Sequence, residues 1–202
     1  MNDVRTEAEE IKKLSDLMHN PSESAAAETG ERLRHPSARV RAKALWVLGE
    51  IGLRYPQAVQ PFIDTAVSFL DSDDPKLRER AVGALGRIGR GDSELIAPVL
   101  GRLLEKHRDT VPAVRMNFIW ACENIAVKDP DLFEPHMAVF AVLLEDAADR
   151  VRMEAPEIFR VLGKRRPIFV QPYLSKLRQM AEGDANRVVR IHSCGALKAA
   201  GG

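Results

Sequence analysis

Residues 118–126, FIWACENIA, set an indole, Trp120, and a carboxamide, Asn124, four positions apart in an otherwise apolar run. On a helix that offset puts both on one face. An asparagine carries a donor and an acceptor, the pair that a passing peptide backbone needs, and a tryptophan offers large apolar area and one N–H at low entropic cost. The chemistry of such a pair is recognition, not bond making. Charge lies at comparable positions elsewhere: Lys43, Arg80 and Arg87 are basic, Glu50, Glu154 and Glu157 acidic, and a second tryptophan, Trp46, stands four residues before Glu50.

Nothing in the chain points to covalent or hydrolytic catalysis. There is no GxSxG, Walker loop or HExxH, and the five histidines are scattered. Cys122 and Cys194 lie far apart without a CxxC or Cys/His cluster, so both read as buried, reduced thiols, and no disulfide, metal or cofactor is expected. The glycine-rich GRIGRGD at residues 86–92 reads as a capped turn. GKRRP at residues 163–167 reads as cations complementing a helix C-terminus.

Composition narrows the class further. Of 202 residues, 45% are apolar, 29% charged and only 5% aromatic, a mixture suited to a helical protein. A formal net charge of +1 supplies no global field toward nucleic acid or an anionic membrane. The polar, acidic start MNDVRTEAEEIKK is unlike a signal peptide, and no apolar run reaches the ~18 residues of a membrane span. A cytoplasmic location and no membrane partner are therefore expected; oligomeric state is left open.

The elements that must position these residues recur. A Val/Leu-Arg pair falls at Arg41, Arg78, Arg115, Arg152 and Arg190, at spacings of 37, 37, 37 and 38. An independent column, Pro61, Pro98, Pro135 and Pro172, repeats at 37. A fixed period of this size marks a repeat array. Each period holds two amphipathic helices, the second buried along Val40, Ala44, Leu48 and Ile51, then along Leu77, Ala81, Leu85 and Ile88. Gly52, Gly89, Gly163 and Gly201 occupy one column, expected to be left-handed C-terminal caps. Pro56, Pro130 and Pro167 open the next helix, where the missing N–H is harmless. The four-proline column predicts a kink in each first helix.

These columns resemble the HEAT-repeat family, related to the armadillo repeats, from about residue 22 onward. The resemblance implies an all-α, right-handed solenoid of about five helix pairs. It also implies an aspartate-arginine ladder, matched by Asp109, Asp146 and Asp184 six residues before Arg115, Arg152 and Arg190; His35 and Ser72 depart from it. The expected organisation is a capping helix within residues 1–20 and an array over 21–202. Val4, Ile11, Leu14 and Met18 give the first helix, residues 3–19, its stripe. Residues 22–34 are the weakest helix, with little to bury, and the final helix shows small residues on an open face.

In the family the second helix of each pair lines the concave surface, which implies three groove columns: Lys43, Arg80, Asn117, Glu154 and His192; Trp46, Gly83, Trp120, Glu157 and Gly195; Glu50, Arg87, Asn124, Val161 and Ala199. WACENIA is similar to the armadillo pattern of importin-alpha, whose tryptophan and asparagine hold an extended peptide. Either tryptophan stands in the groove or tilts into the core. The implied function is a non-enzymatic scaffold binding a partner's peptide or helix. Two other readings are a nucleic-acid-binding or DNA-glycosylase-like protein, disfavoured by the charge, and a phycobilin-lyase-like protein.

Overall fold

The computed structural model describes residues 6–201, so Asp3 and Val4 of the expected first helix lie outside the described residues. Among these the regular structure is entirely helical, and it divides into two compact units, Met1–Leu103 and Leu104–Gly202. No helix is long and apolar enough to cross a membrane.

The first unit begins with α1 (Glu7–His19), opened by a reciprocal capping box in which Thr6 and Glu9 satisfy each other's backbone N–H. It continues with α2 (Glu23–Glu31) and a 3-10 turn, Arg32–Arg34. Contrary to the expectation of little to bury, α2 is well anchored: Ala25, Ala26, Thr29 and Gly30 are buried. Small side chains are what let it lie close to its neighbours, since a Cβ on Gly30 would overlap the ring of Phe62. Next come α3 (Ala38–Arg54), α4 (Pro56–Val59), α5 (Ile63–Ser68) and α6 (Pro75–Gly91). The helix α7 (Leu100–Leu104) ends at the division between the units.

The second unit holds α8 (Pro112–Lys128), α9 (Met137–Leu143), α10 (Asp149–Arg165), α11 (Pro167–Val170), α12 (Leu174–Gly183) and α13 (Arg187–Ala199). Here α10 packs against both α8 and α13. Phe118, Phe133 and Phe140 form a contiguous aromatic cluster, with ring centroids 5.7 to 5.8 Å apart.

The second helices α3, α6, α8 and α10 each run 17 residues, and their expected stripes are buried. The prolines do more than kink. Pro61, Pro98, Pro135 and Pro172 each sit in a 3-10 segment, at Gln60–Phe62, Ala97–Val99, Asp131–His136 and Gln171–Tyr173. A proline cannot donate to the carbonyl four residues back and its ring crowds that carbonyl, so the first helices divide into short turns.

The glycine column is not a set of caps. Gly52, Gly89 and Gly163 lie inside α3, α6 and α10, and the GRIGRGD glycines lie within α6. Only Gly201 among the described residues has a positive φ, 77°, and ends α13 as expected. Two of them permit close approach: a Cβ on Gly52 would lie 2.5 Å from Ile88 Cγ1 in α6, and one on Gly163 only 3.1 Å from the Ala200 amide nitrogen; Gly49, one turn before Gly52, would likewise lie 2.9 Å from Ala84 Cα. Helix propensity yields here to interhelical distance.

Arginines tie the turns together. Arg115 donates to both carboxylate oxygens of Asp146 at 2.7 Å and to the Asp109 carbonyl at 2.7 Å. Arg152 donates to one carboxylate oxygen of Asp184 at 2.9 Å, to Asp149 at 2.8 Å and to the Asp146 carbonyl at 2.9 Å. Burial pushes the Asp146 carboxyl up, but hydrogen bonds from Arg115 and the Ala148 N–H hold it below the usual carboxylate range. Arg41 and Arg78 keep the carbonyl contact, to His35 and Ser72, at 2.8 Å.

Two glycines of the first unit make opposite predictions. A Cβ at Gly91 would overlap the backbone oxygen of Gly52, while one at Gly101 meets nothing within 4 Å. Gly91→Ala is expected to destabilise by about 1–3 kcal/mol, and Gly101→Ala, an exposed helical site, to stabilise by up to about 1 kcal/mol. Thermal midpoints moving in the same direction would contradict the close-approach account.

Candidate functional site

The expected site residues collect into one cluster in each unit. In the first, α3 carries Lys43, Trp46 and Glu50 at offsets of three and four, and α6 carries Arg80 and Arg87. The Trp46 indole donates to Glu50 Oε1 at 3.2 Å, and its ring has Lys43 Nζ and the Arg80 guanidinium 4.9 and 4.7 Å from the centroid. Two cations against one aromatic ring favour its negative face. Burial and the charge of Arg80 lower the pKa of Lys43. Glu50 in turn pairs with Arg87 at 2.8 Å. Trp46 is half-buried, lining a cleft of about 330 Å³ with Ile11, Lys43 and Arg80.

In the second unit, Trp120 of α8 is 40% exposed and donates to Glu154 Oε2 of α10 at 3.1 Å. The bond fixes the position of the indole nitrogen. Asn124 donates to the Trp120 carbonyl at 2.9 Å and Asn117 to the Ala113 carbonyl at 3.0 Å. One N–H of each amide is thus directed into its own helix, a local bond open to any short polar side chain there. Glu157 accepts from Arg160 Nε at 2.6 Å, and His192 Nδ1 lies 3.6 Å from Glu157 and 2.7 Å from the Met153 carbonyl.

Glu123, absent from the expected site, lies beneath these groups. One of its carboxylate oxygens is buried without a hydrogen-bond partner. Burial, then the charges of Glu157 and Glu154, push its pKa up to about 8, with Arg160 acting in the opposite direction. A sequence signal existed: Glu123 is the acid in a column that reads Gly49 and Gly86 in the two preceding periods, both buried. An acid in a seam position is unusual enough to mark. Among the described residues no group of three or more His, Cys, Asp or Glu is placed to hold a metal ion.

Cys122 is buried as expected and Cys194 is not. Cys122 is fully buried, and burial raises its pKa well above the ordinary thiol value. Cys194 is exposed, because among the described residues no helix covers its side of α13.

The family model for HEAT repeats matches residues 26–111 and 63–157, together more than half of the chain. Among solved structures, a designed armadillo repeat protein in complex with the peptide (KR)4 is 22% identical, with a TM-score of 0.72 over 94% of this chain and 90% of that one. Computationally designed armadillo repeat proteins for modular peptide recognition are 20% identical, with a TM-score of 0.70 over 94% and 91%. Kap121p bound to Nup53p is 15% identical, with a TM-score of 0.74 over 88% of this chain and 19% of that one. These likenesses are to an all-α solenoid fold. No curated protein matches the sequence.

Glu123 makes the stability of the second unit depend on pH. Its pKa of about 8 lies above the ~4.3 of an exposed glutamate. Between those values the folded chain holds a proton that the unfolded chain has released, so stability falls as pH rises through the window and levels off above it. Glu123→Gln keeps the neutral shape and removes the titration. The variant is expected to melt above the parent at pH 8.5 and to converge with it near pH 5; a pH-independent difference would show that Glu123 does not titrate there.

Proposed function

The chain belongs to the HEAT-repeat family, and from that premise we propose that it is a non-enzymatic, cytoplasmic scaffold that binds an extended peptide or helix of a partner protein. The proposed surface consists of the second-helix faces. In the first unit it comprises Lys43, Trp46, Glu50, Arg80 and Arg87, in the second Asn117, Trp120, Asn124, Glu154 and Glu157. The observation that carries this reading is the exposure of Trp120 beside carboxylates. An aromatic ring held in place by an edge hydrogen bond is an anchor that loses little entropy on binding.

Charge assigns a preference to each face. The second unit sets Glu154 and Glu157 beside Trp120, above the buried Glu123, which favours a basic segment. The first sets Lys43 and Arg80 on Trp46, which favours acidic groups. The designed armadillo protein in complex with (KR)4 makes alternating lysine and arginine the natural first probe of the second face.

The test uses the full chain carrying Trp46→Phe, so that fluorescence reports Trp120 alone. Titrated with (KR)4, it is expected to bind, and Glu154→Lys to weaken binding about tenfold or more, the equivalent of ~1.4 kcal/mol. Trp120→Ala and Asn124→Ala are expected to weaken capture of the same labelled peptide, read by anisotropy, with the thermal midpoint nearly unchanged. If Trp120→Ala instead costs the ~3–5 kcal/mol of a buried aromatic, the residue is core. Tight, steeply salt-dependent binding of duplex DNA would replace the scaffold reading with nucleic-acid binding.

A further inference from the structure

The cleft beside Trp46 holds two positive charges that the rest of the first unit leaves unmatched. Lys43 and Arg80 lie 4.9 and 4.7 Å from the centre of one ring, and among the described residues neither has a carboxylate partner. The acceptor of Lys43 Nζ is the Met18 sulfur, at 3.9 Å, a weak one. Glu50 is engaged on the other side, by the Trp46 indole and by Arg87. The remaining charges that line the cleft are matched: Arg39 pairs with Glu7 and Lys76 with Glu79, both at 2.7 Å, and Asp74 caps α6 by accepting from the Lys76 N–H at 2.8 Å. Two like charges thus share one half-buried place, where burial and then the charge of Arg80 disfavour the charged form of Lys43.

The other wall of the cleft is apolar. Its volume of about 330 Å³ is bounded there by Ile11 of α1 and by Ala38, Ala42 and Trp46 of α3. Alanine at two of these positions leaves space that a longer side chain would take. An occupant has to bring a negative charge to Lys43 and Arg80 and an apolar group to Ile11 and the alanines, within one small volume. Aspartate and glutamate side chains bring charge with little apolar bulk. The last residue of a peptide brings both from a single Cα: two carboxylate oxygens, one for each cation, and a side chain for the apolar wall. A free amino acid adds an ammonium group, which the same two cations repel.

We propose, on the premise that this face binds peptide, that the cleft holds the C-terminal carboxylate of a partner's peptide, with its terminal apolar side chain against Ile11, Ala38 and Ala42. Arg80 donates to one carboxylate oxygen and Lys43 to the other, charge-assisted bonds of the stronger class. The Trp46 ring holds both cations in place before the ligand arrives, which lowers the ordering cost of binding.

The test uses the full chain and a short labelled glycine-serine peptide ending in leucine, prepared with a free carboxylate, as the C-terminal amide, and with the last leucine replaced by glycine. Read by anisotropy, the free acid is expected to bind about tenfold or more tightly than the amide, and the glycine-ended acid to bind about tenfold more weakly than the leucine-ended one. Arg80→Gln should remove the preference for the acid, and Arg80→Lys should retain part of it. The bound acid should also slow acetylation of Lys43, measured by mass spectrometry against the exposed Lys164, and the amide should not. Equal affinity for acid and amide overturns the proposal. Tighter binding of an amidated peptide carrying phosphotyrosine overturns it as well, and assigns the cleft to phosphorylated segments. Faster acetylation of Lys43 in Asp3→Asn, with no peptide added, overturns it in favour of the chain's own acidic start. Binding of (KR)4 without binding of the free acid removes this inference and keeps the peptide-scaffold reading, whereas binding of neither removes that reading too.

Discussion

Close approach between consecutive second helices is the constraint on which the rest of each unit depends. A methyl group at Gly49 would press on the α6 backbone, and one at Gly163 on the backbone at the end of α13. Helices this near leave no room between them for side chains on that line, so the bulky residues are displaced to either side of it. Ala44, Leu48 and Ile51 fill the core on one flank, while Lys43, Trp46 and Glu50 emerge on the other. The faces proposed for recognition are in this sense produced by the packing behind them.

Glu123 and Trp120 illustrate how closely core and surface are joined in the second unit. A carboxyl inserted where two earlier periods have glycine is buried near Glu154 and Glu157, and burial first, then their charges, disfavour its ionised form. Glu154 is also the group that orients the Trp120 indole. The protonation of a half-hidden residue is therefore coupled to the electrostatic character of the exposed ring beside it. Charge on this face is a property of the cluster and not of any single side chain.

Much of this was legible in the sequence, for a physical reason: a repeat writes each structural requirement several times. The helix pairs, the buried stripes and the aspartate-arginine contacts could be read from columns, because chance does not repeat at 37. Distance could not be read in this way. A glycine at a periodic position serves a left-handed cap or a tight interface equally well, and at Gly52 and Gly163 the interface prevailed. Cys194 was expected to be buried because no cysteine or histidine partner accompanies it; its exposure is set by its place on α13 rather than by its own residue type. Glu123 was overlooked because its column, Gly49, Gly86, Glu123, Arg160 and Lys198, carries charge in the later periods, so the acid does not stand out until its neighbours are known. The pairing of one Asn124 N–H with the Trp120 carbonyl depends on a rotamer that spacing does not specify.

The arginine contacts have a bearing on how the chain comes apart. In a stack, total stability divides into the part each repeat holds by itself and the part it gains from its neighbour, and the balance decides whether repeats unfold singly or together. Arg115 and Arg152 each grip a carbonyl at the start of their own repeat and a carboxylate at the start of the next. Both ends of the grip lie in turns, the segments that would otherwise fray first. The coupling between repeats thus resides where local opening would begin, so the second unit is built to open as one cooperative block and not turn by turn.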